Sequence, residues 1–374
     1  MRINNIILQN FRNYDSLELD FNESRNIIVG ENAQGKTNLI EAIYLAAFAK
    51  SFRTNNAGDM VRFGQKQSHV NVGITSEYLD KRIDITILQN GRKMIKKDGK
   101  VVRRTADLLN NIVVIIFSPD DLRIIKDSPE RRRNFINREL SQIRPKYYDV
   151  LRNYNEVLKQ KNSLLKNYYN NENSRRFNED MLDVYDHQMA DYGYELLRYR
   201  REFVELLSNE AAEIMGAISG GKEELKIEYQ STCDFLTDTE GRELLYKQFY
   251  HHRDKDLHAG FATVGPHRDD LEFYINGSDG KKYGSQGQQR TIALSLKLAE
   301  IRIAKNILGE APVLLLDDVL SELDVDRQRF LVNQIDDVQL FITSAELSGE
   351  VVEGLQGGSL FRVESGSITK VDKY

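Results

Sequence analysis

Gly30-Glu31-Asn32-Ala33-Gln34-Gly35-Lys36-Thr37 fits the pattern GxxxxGK[ST], and it stands where that pattern has to stand. The apolar run Asn26-Ile27-Ile28-Val29 before it reads as a buried strand. After it, Leu39, Ile43 and Ala47 fall on one face of a helix beginning near Lys36. In that setting the glycines let backbone N–H groups turn toward a phosphate chain at the positive end of a helix. Lys36 neutralises the outer phosphates, and the Thr37 hydroxyl can ligate Mg²⁺. The eight residues are therefore candidate contacts for ATP with Mg²⁺, on an α/β scaffold.

Far along the chain, Val313-Leu314-Leu315-Leu316-Asp317-Asp318 is an apolar strand running into two acids, a Walker B pattern. Asp317 is the candidate second Mg²⁺ ligand, and Asp318 the group that orients or deprotonates the attacking water. Taken alone, the pair could equally cap a helix. Upstream, Ser285-Gln286-Gly287-Gln288-Gln289 precedes a helix whose Ile292, Leu296, Ala299 and Ile303 share one face. Ser285, Gly287 and Gln289 thus stand at a helix N-terminus that can receive an anion, although in isolation the stretch is an ordinary cap. Ser321-Glu322-Leu323-Asp324 follows the acids.

The 374 residues suffice for one large core and a second lobe. No apolar stretch is long enough to span a bilayer and no leader pattern opens the chain, so a cytoplasmic protein is expected. A single cysteine, Cys233, excludes an internal disulfide. The net charge of -5 argues against a uniform basic coat, so any DNA contact must be a local patch. Candidates are the stretch from Arg92 to Arg104, with Lys93, Lys96, Lys97, Lys100 and Arg103, and the Arg131-Arg132-Arg133 run; solvated charged faces are the plainer reading of both. Alternating Val70, Val72, Ile74 and Ile83, Ile85, Ile87, with turns at Asn90-Gly91 and Asp98-Gly99, predict an antiparallel meander.

From Pro119 to about Met215 the pattern is helical, with long helices around 146–168 and 178–215 joined by an exposed turn at 169–174. The expected division is a head of 1–118 and 258–374, built from both ends of the chain, and a helical lobe of 119–257. The head should hold a mixed sheet with the phosphate loop at its core plus an antiparallel β arm.

The order of phosphate loop, signature, acid-ended strand and D-loop is that of an ABC ATPase. The S-x-G-x-Q form at Ser285 resembles the SMC and RecF heads rather than transporters, which favour LSGGQ. The helical insert is short and lacks sustained heptads, so the resemblance narrows to the RecF family of bacterial recombinational DNA-repair ATPases. Asn10-Phe11-Arg12-Asn13-Tyr14, Ser118-Pro119-Asp120-Asp121-Leu122 with Ser128 to Arg133, and Gly265-Pro266-His267-Arg268-Asp269-Asp270 also resemble that family, and the match runs essentially end to end.

That resemblance implies an ATP-dependent homodimer in which Lys36 of one protomer faces Ser285 and Gly287 of the other, with Lys36, Asp318 and Ser285 as catalytic groups and Asp324 at the nucleotide. It also implies binding to DNA at single-strand gaps, single-strand/duplex junctions and duplex, cooperation with RecR and RecO in loading recombinase, and weak DNA-stimulated ATPase activity. Asp318 stands where many ABC ATPases carry glutamate, which predicts slow turnover. Thr343 occupies the switch position that is histidine in transporters. Arg12 is a candidate nucleotide contact or, equally, a surface arginine after a strand. The competing readings are the ATPase subunit of a transporter and a P-loop small-molecule phosphotransferase. His251, His252, His258 and His267 fit no common zinc spacing. Tyr147, Tyr148, Tyr154, Tyr168 and Tyr169 could stack bases but fall at helix-packing positions.

Overall fold

The computed structural model of the chain describes residues 1–76, 79–170, 179–233, 238–335, 337–345 and 357–371. Packing divides them into two compact units. The first comprises Met1–Arg123, Glu213–Lys222 and Gln286–Tyr374; the second comprises Ile124–Ala212 and Glu223–Ser285.

The first unit begins with β1 (Arg2–Phe11), β2 (Tyr14–Asp20), β3 (Arg25–Val29) and α1 (Lys36–Phe48). It continues with β4 (Gln67–Thr75), β5 (Asp80–Leu88), β6 (Lys93–Lys97), β7 (Lys100–Val101) and β8 (Val114–Phe117). The second unit carries α2 (Pro129–Ile143), α3 (Pro145–Asn170), most of α4 (Glu179–Ser219), β9 (Leu225–Gln230), α5 (Asp238–His251), α6 (Arg253–Ala259), β10 (Asp270–Ile275) and β11 (Ser278–Asp279). The first unit then resumes with α7 (Gln286–Leu308), β12 (Val313–Asp317), α8 (Val325–Gln334), β13 (Gln339–Ser344), β14 (Ser359–Glu364) and β15 (Ser367–Val371).

Two sheets build the first unit. The core sheet has the order β15-β14-β3-β13-β12-β8, parallel throughout except for β15. Val114–Phe117, Val313–Asp317 and Gln339–Ser344 are buried at every position, as parallel strands covered on both faces must be, and their unbroken apolar runs follow from that. Helix α1 is buried along nearly its whole length, which explains why its apolar residues exceed a single stripe. The second sheet, β2-β1-β4-β5-β6-β7, is the expected antiparallel arm. Its hairpin at Asp98-Gly99 has both residues at positive φ, 49° and 76°, the turn geometry that an Asp-Gly pair favours.

In the second unit Pro145 ends α2 and opens α3, since proline disfavours helix in the residue before it and suits the first helical turn. The expected linker at 169–174 lies largely outside the described residues. The unit boundaries differ from the sequence expectation of 118/119 and 257/258. Residues 258–285 stay with the second unit because β10 pairs antiparallel with β9, and because Asp270 binds Arg132 at 2.7 and 2.8 Å. Conversely, the last turns of α4 pack in the first unit, where Glu213 meets Arg302 at 3.2 Å and Met215 lies against Ser295.

Much of the second unit's polar chemistry is internal bonding. Arg200, 2% exposed, donates to Tyr147 Oη, Tyr229 Oη, Asn137 Oδ1 and the Pro266 carbonyl. The Arg131-Arg132-Arg133 run is consumed in the same way and is not a free basic patch: Arg132 is buried on Asp270, Arg133 donates to the Asp269 carbonyl and Arg131 pairs with Asp127. Tyr147 and Tyr154 are buried packing residues, whereas Tyr169 is half exposed. The stretch from Gly265 to Asp270 forms a structural network. His267 Nε2 faces the Ala262 carbonyl at 3.1 Å and its Nδ1 faces the Tyr154 hydroxyl at 2.7 Å, with burial lowering its pKa to about 4.

Candidate nucleotide site

The phosphate loop leaves the end of β3 and enters α1 at Lys36, with Gly35 at φ 126° as the N-cap. Two glycines are required by space, and Gly35 by its positive φ as well. A Cβ on Gly30 would collide with the Val363 carbonyl of β14, and one on Gly35 would lie 2.7 Å from Asn13 Nδ2. Asn13 Nδ2 donates to the Gln34 carbonyl at 2.7 Å, and Tyr14 Oη to the Gly35 carbonyl at 2.9 Å. The turn between β1 and β2 thus braces the loop.

Behind the loop β13 lies between β3 and β12, so the acid-ended strand is one strand removed from the phosphate loop. Thr343, at the end of β13, closes that gap. Its hydroxyl donates to Asp317 Oδ1 at 2.8 Å and accepts from the Asp318 N–H at 3.0 Å. Thr37 Oγ1 donates to the same Asp317 oxygen at 2.9 Å. Thr37 and Asp317 therefore meet directly, as a shared divalent-ion site requires. Burial raises the Asp317 pKa against the opposing hydrogen bonds of Thr343 and Thr37, with the charge of Asp318 adding to the rise.

Lys36 lies in the same place. Its ammonium donates to the Gly30 and Glu31 carbonyls, and burial lowers its pKa while Asp318 and Asp317 oppose the shift. Asp318 adopts φ 55°, an uncommon conformation for a non-glycine residue, held by the Thr343 bond to its N–H. Together Asn32, Ala33, Gly35, Lys36, Thr37, Asn38, Arg53 and Asp318 line a cavity of about 310 Å³. A backbone loop at a helix N-terminus, an ammonium, and a hydroxyl–carboxylate pair form a donor set suited to a triphosphate and its Mg²⁺.

Arg53 is the residue that sequence reasoning passes over. It lines this cavity, donates to Asn38 Oδ1 at 2.8 Å and stands 3.6 Å from Glu41. Arg12 is placed differently. Its guanidinium grips the fully buried Glu41 carboxylate at 2.6 and 2.8 Å and also donates to the Asp59 carbonyl. It lines the adjoining cavity of about 680 Å³, which shares Asn38 and Arg53 with the phosphate cavity. The signal for the pair was Glu41 itself, an acid one helical turn beyond Thr37 in a segment otherwise apolar.

Ser285, Gly287, Gln289 and Asp324 are not in the lining of the phosphate cavity. Arg327 instead gathers the latter part of the signature to the D-loop. It pairs with Asp324, which caps α8, and donates to the Gly287 carbonyl at 3.0 Å and to Thr291 Oγ1 at 2.7 and 2.9 Å. Ser285 is exposed, directly before α7.

Residues 2–356 match the family model for the RecF/RecN/SMC N-terminal domain. The chain is 40% identical over 368 residues to the DNA replication and repair protein RecF of Clostridium perfringens, covering 98% of this chain and 99% of the relative. It is likewise 40% identical over 376 residues to RecF of Clostridioides difficile, covering 100% and 99%. Among solved structures, the recombination mediator protein RecF bound to an ATP analogue, described as part of the RecFOR pathway, superposes with a TM-score of 0.91 at 36% identity, over 99% of this chain and 98% of that one. An Smc head domain from Pyrococcus furiosus shares the fold, with a TM-score of 0.56 at 16% identity over 99% and 96%.

Proposed function

Because this chain belongs to the RecF family of DNA replication and repair proteins, within the RecF/RecN/SMC N-terminal domain group, we propose that it works as an ATP-gated homodimeric clamp on DNA. Its targets in this reading are single-strand gaps, junctions and adjoining duplex, where it helps load recombinase together with RecR and RecO. Its work is assigned to the cytoplasm, where the DNA of its bacterial relatives lies.

The observation that carries the reading is a division of the motifs. Asn32, Ala33, Gly35, Lys36, Thr37 and Asp318 line the phosphate cavity and Asp317 bonds to Thr37 there, whereas Ser285, Gly287, Gln289 and Asp324 are absent from its lining. A site completed by the signature of a second copy accounts for that division. Nucleotide then acts as a ligand of the closed dimer, and its differential affinity for closed over open heads sets the shift.

In the reaction, the loop N–H groups and Lys36 hold the phosphates. Thr37 and Asp317 would hold Mg²⁺, which would neutralise phosphate charge when bound. Asp318, fixed by Thr343, accepts a proton from the attacking water. Its short side chain accords with slow turnover, and the family resemblance supports stimulation by DNA.

Light scattering coupled to size exclusion, with and without ATP, tests this on the wild type, Lys36→Met and Ser285→Arg, alongside a titration with gapped DNA. The expected outcome is ATP-dependent dimerisation of the wild type alone, with tighter DNA binding. A protein that stays monomeric with ATP bound, or a Ser285→Arg variant that dimerises normally, overturns the clamp reading and favours a phosphotransferase.

A further inference from the structure

The Gln34 carbonyl accepts two hydrogen bonds, from Asn13 Nδ2 at 2.7 Å and from the Gly366 backbone N–H at 3.2 Å. The Gln34 side chain joins the same grip, its Oε1 accepting the Ser365 backbone N–H at 2.6 Å. Asn13 lies in the turn between β1 and β2; Ser365 and Gly366 form the turn between β14 and β15. Two hairpin tips, far apart in sequence, therefore hold a single peptide unit of the phosphate loop.

The direction of that hold matters. In a planar trans peptide the C=O and N–H point opposite ways. Fixing the Gln34 carbonyl toward the two tips therefore turns the Gly35 N–H away from them, and a free inward N–H is what an anion-binding loop needs. The contacts leave no slack. Gly366 has φ +77°, and a Cβ there would lie 2.5 Å from the Asn13 carbonyl oxygen. The strand leading to this tip, β14, pairs with β3, and its Val363 carbonyl excludes a side chain at Gly30.

We propose that the tip of the β14–β15 hairpin, through Ser365 and Gly366 on Gln34, is a positioning device for the phosphate loop. It pre-orients the Gly35 N–H, so nucleotide affinity depends on the C-terminal hairpin although no hairpin residue lines the phosphate cavity. This rests on the nucleotide reading of the site.

Two variants test it. Gln34→Met is close to isosteric and removes the Oε1 acceptor, while Gly366→Ala forces the tip away from Asn13. Ser365→Ala, which keeps the backbone N–H and removes only the weaker 3.4 Å hydroxyl donation to Gln34 Oε1, is the graded comparison. The readouts are the Kd for ATP and ADP, the thermal midpoint without nucleotide, and hydrogen exchange at the Ser365 and Gly366 amides that donate to Gln34. Loss of one such bond predicts a Kd raised about tenfold for both nucleotides. Exchange at the Ser365 amide should quicken in Gln34→Met, the nucleotide-free midpoint of Gln34→Met should stay at the wild-type value, and Ser365→Ala should fall between the wild type and Gln34→Met in nucleotide affinity. Variants that bind ATP like the wild type, or whose loss follows a lowered midpoint with Ser365 and Gly366 exchange unchanged, overturn this inference alone. A wild type that binds no nucleotide overturns the reading of the site together with it.

Discussion

Thr343 shows how much one hydroxyl can do at the end of a strand, since it serves Asp317 as a donor and the Asp318 N–H as an acceptor. Thr343→Val keeps the shape and removes both bonds. It should slow ATP hydrolysis at least about tenfold, with binding less affected, because the loss falls on groups that act on metal and water. Phosphate-release kinetics beside equilibrium ATP binding check this, and Thr343→Ser should restore the rate. The raised pKa of Asp317 has a pH consequence of its own. A metal must displace that proton, so the Mg²⁺ concentration for half-maximal activity should rise as pH falls, beginning at higher pH than for an exposed aspartate; Mg²⁺ titrations at several pH values measure it. The phosphate loop and the acid pair were legible because each is a contiguous stretch with its strand or helix attached. Arg53 was not, since its place at the cavity and its partners Asn38 and Glu41 depend on how the segment after α1 folds back.

At the scale of elements, the joint between α7 and α8 rests on Arg327, which ties the Gly287 carbonyl and Thr291 to Asp324. Arg327→Ala should leave ATP binding to the monomer unchanged and weaken ATP-dependent dimerisation several-fold, a change that light scattering against protein concentration would register. Dimerisation at wild-type strength would show that the joint plays no part in presenting the signature. The strands of the core sheet could be read from unbroken apolar runs and the β arm from period-two alternation. The boundary between units could not, because β9 and β10 find each other across α5 and α6, and alternation alone does not name a strand's partner. Nor did the charge of Arg131 to Arg133 reveal that Arg132 would be buried against Asp270, a residue far along the chain.

Across the whole molecule, stability in the second unit leans on buried polar joints. Lys161 is fully buried between Asp186 at 2.8 Å and Asp256 at 3.0 Å. Lys161→Met takes the cation from Asp256 and leaves Asp186 with Arg253 alone, and should destabilise the protein by about 3 to 5 kcal/mol, read from urea unfolding. Acid should act through His267. Its folded pKa of about 4 lies below the ordinary histidine value, so the unfolded chain binds the proton first as pH falls. Stability is retained above the ordinary value and lost through the window down to the folded one, by at most roughly 1.4 kcal/mol per pH unit. Unfolding of His267→Gln against pH should show a shallower slope there. The core sheet also carries a consequence for the newborn chain. Strand β3 is flanked by β13 and β14, so its neighbours leave the ribosome about 330 residues after it does. At bacterial elongation rates that is a wait of roughly a quarter of a minute to a minute with both edges of the phosphate-loop strand unpaired. The β1–β2–β4–β5 meander is complete early in synthesis, and ribosome-bound nascent chains should differ sharply from the released full-length chain in protease resistance at β3.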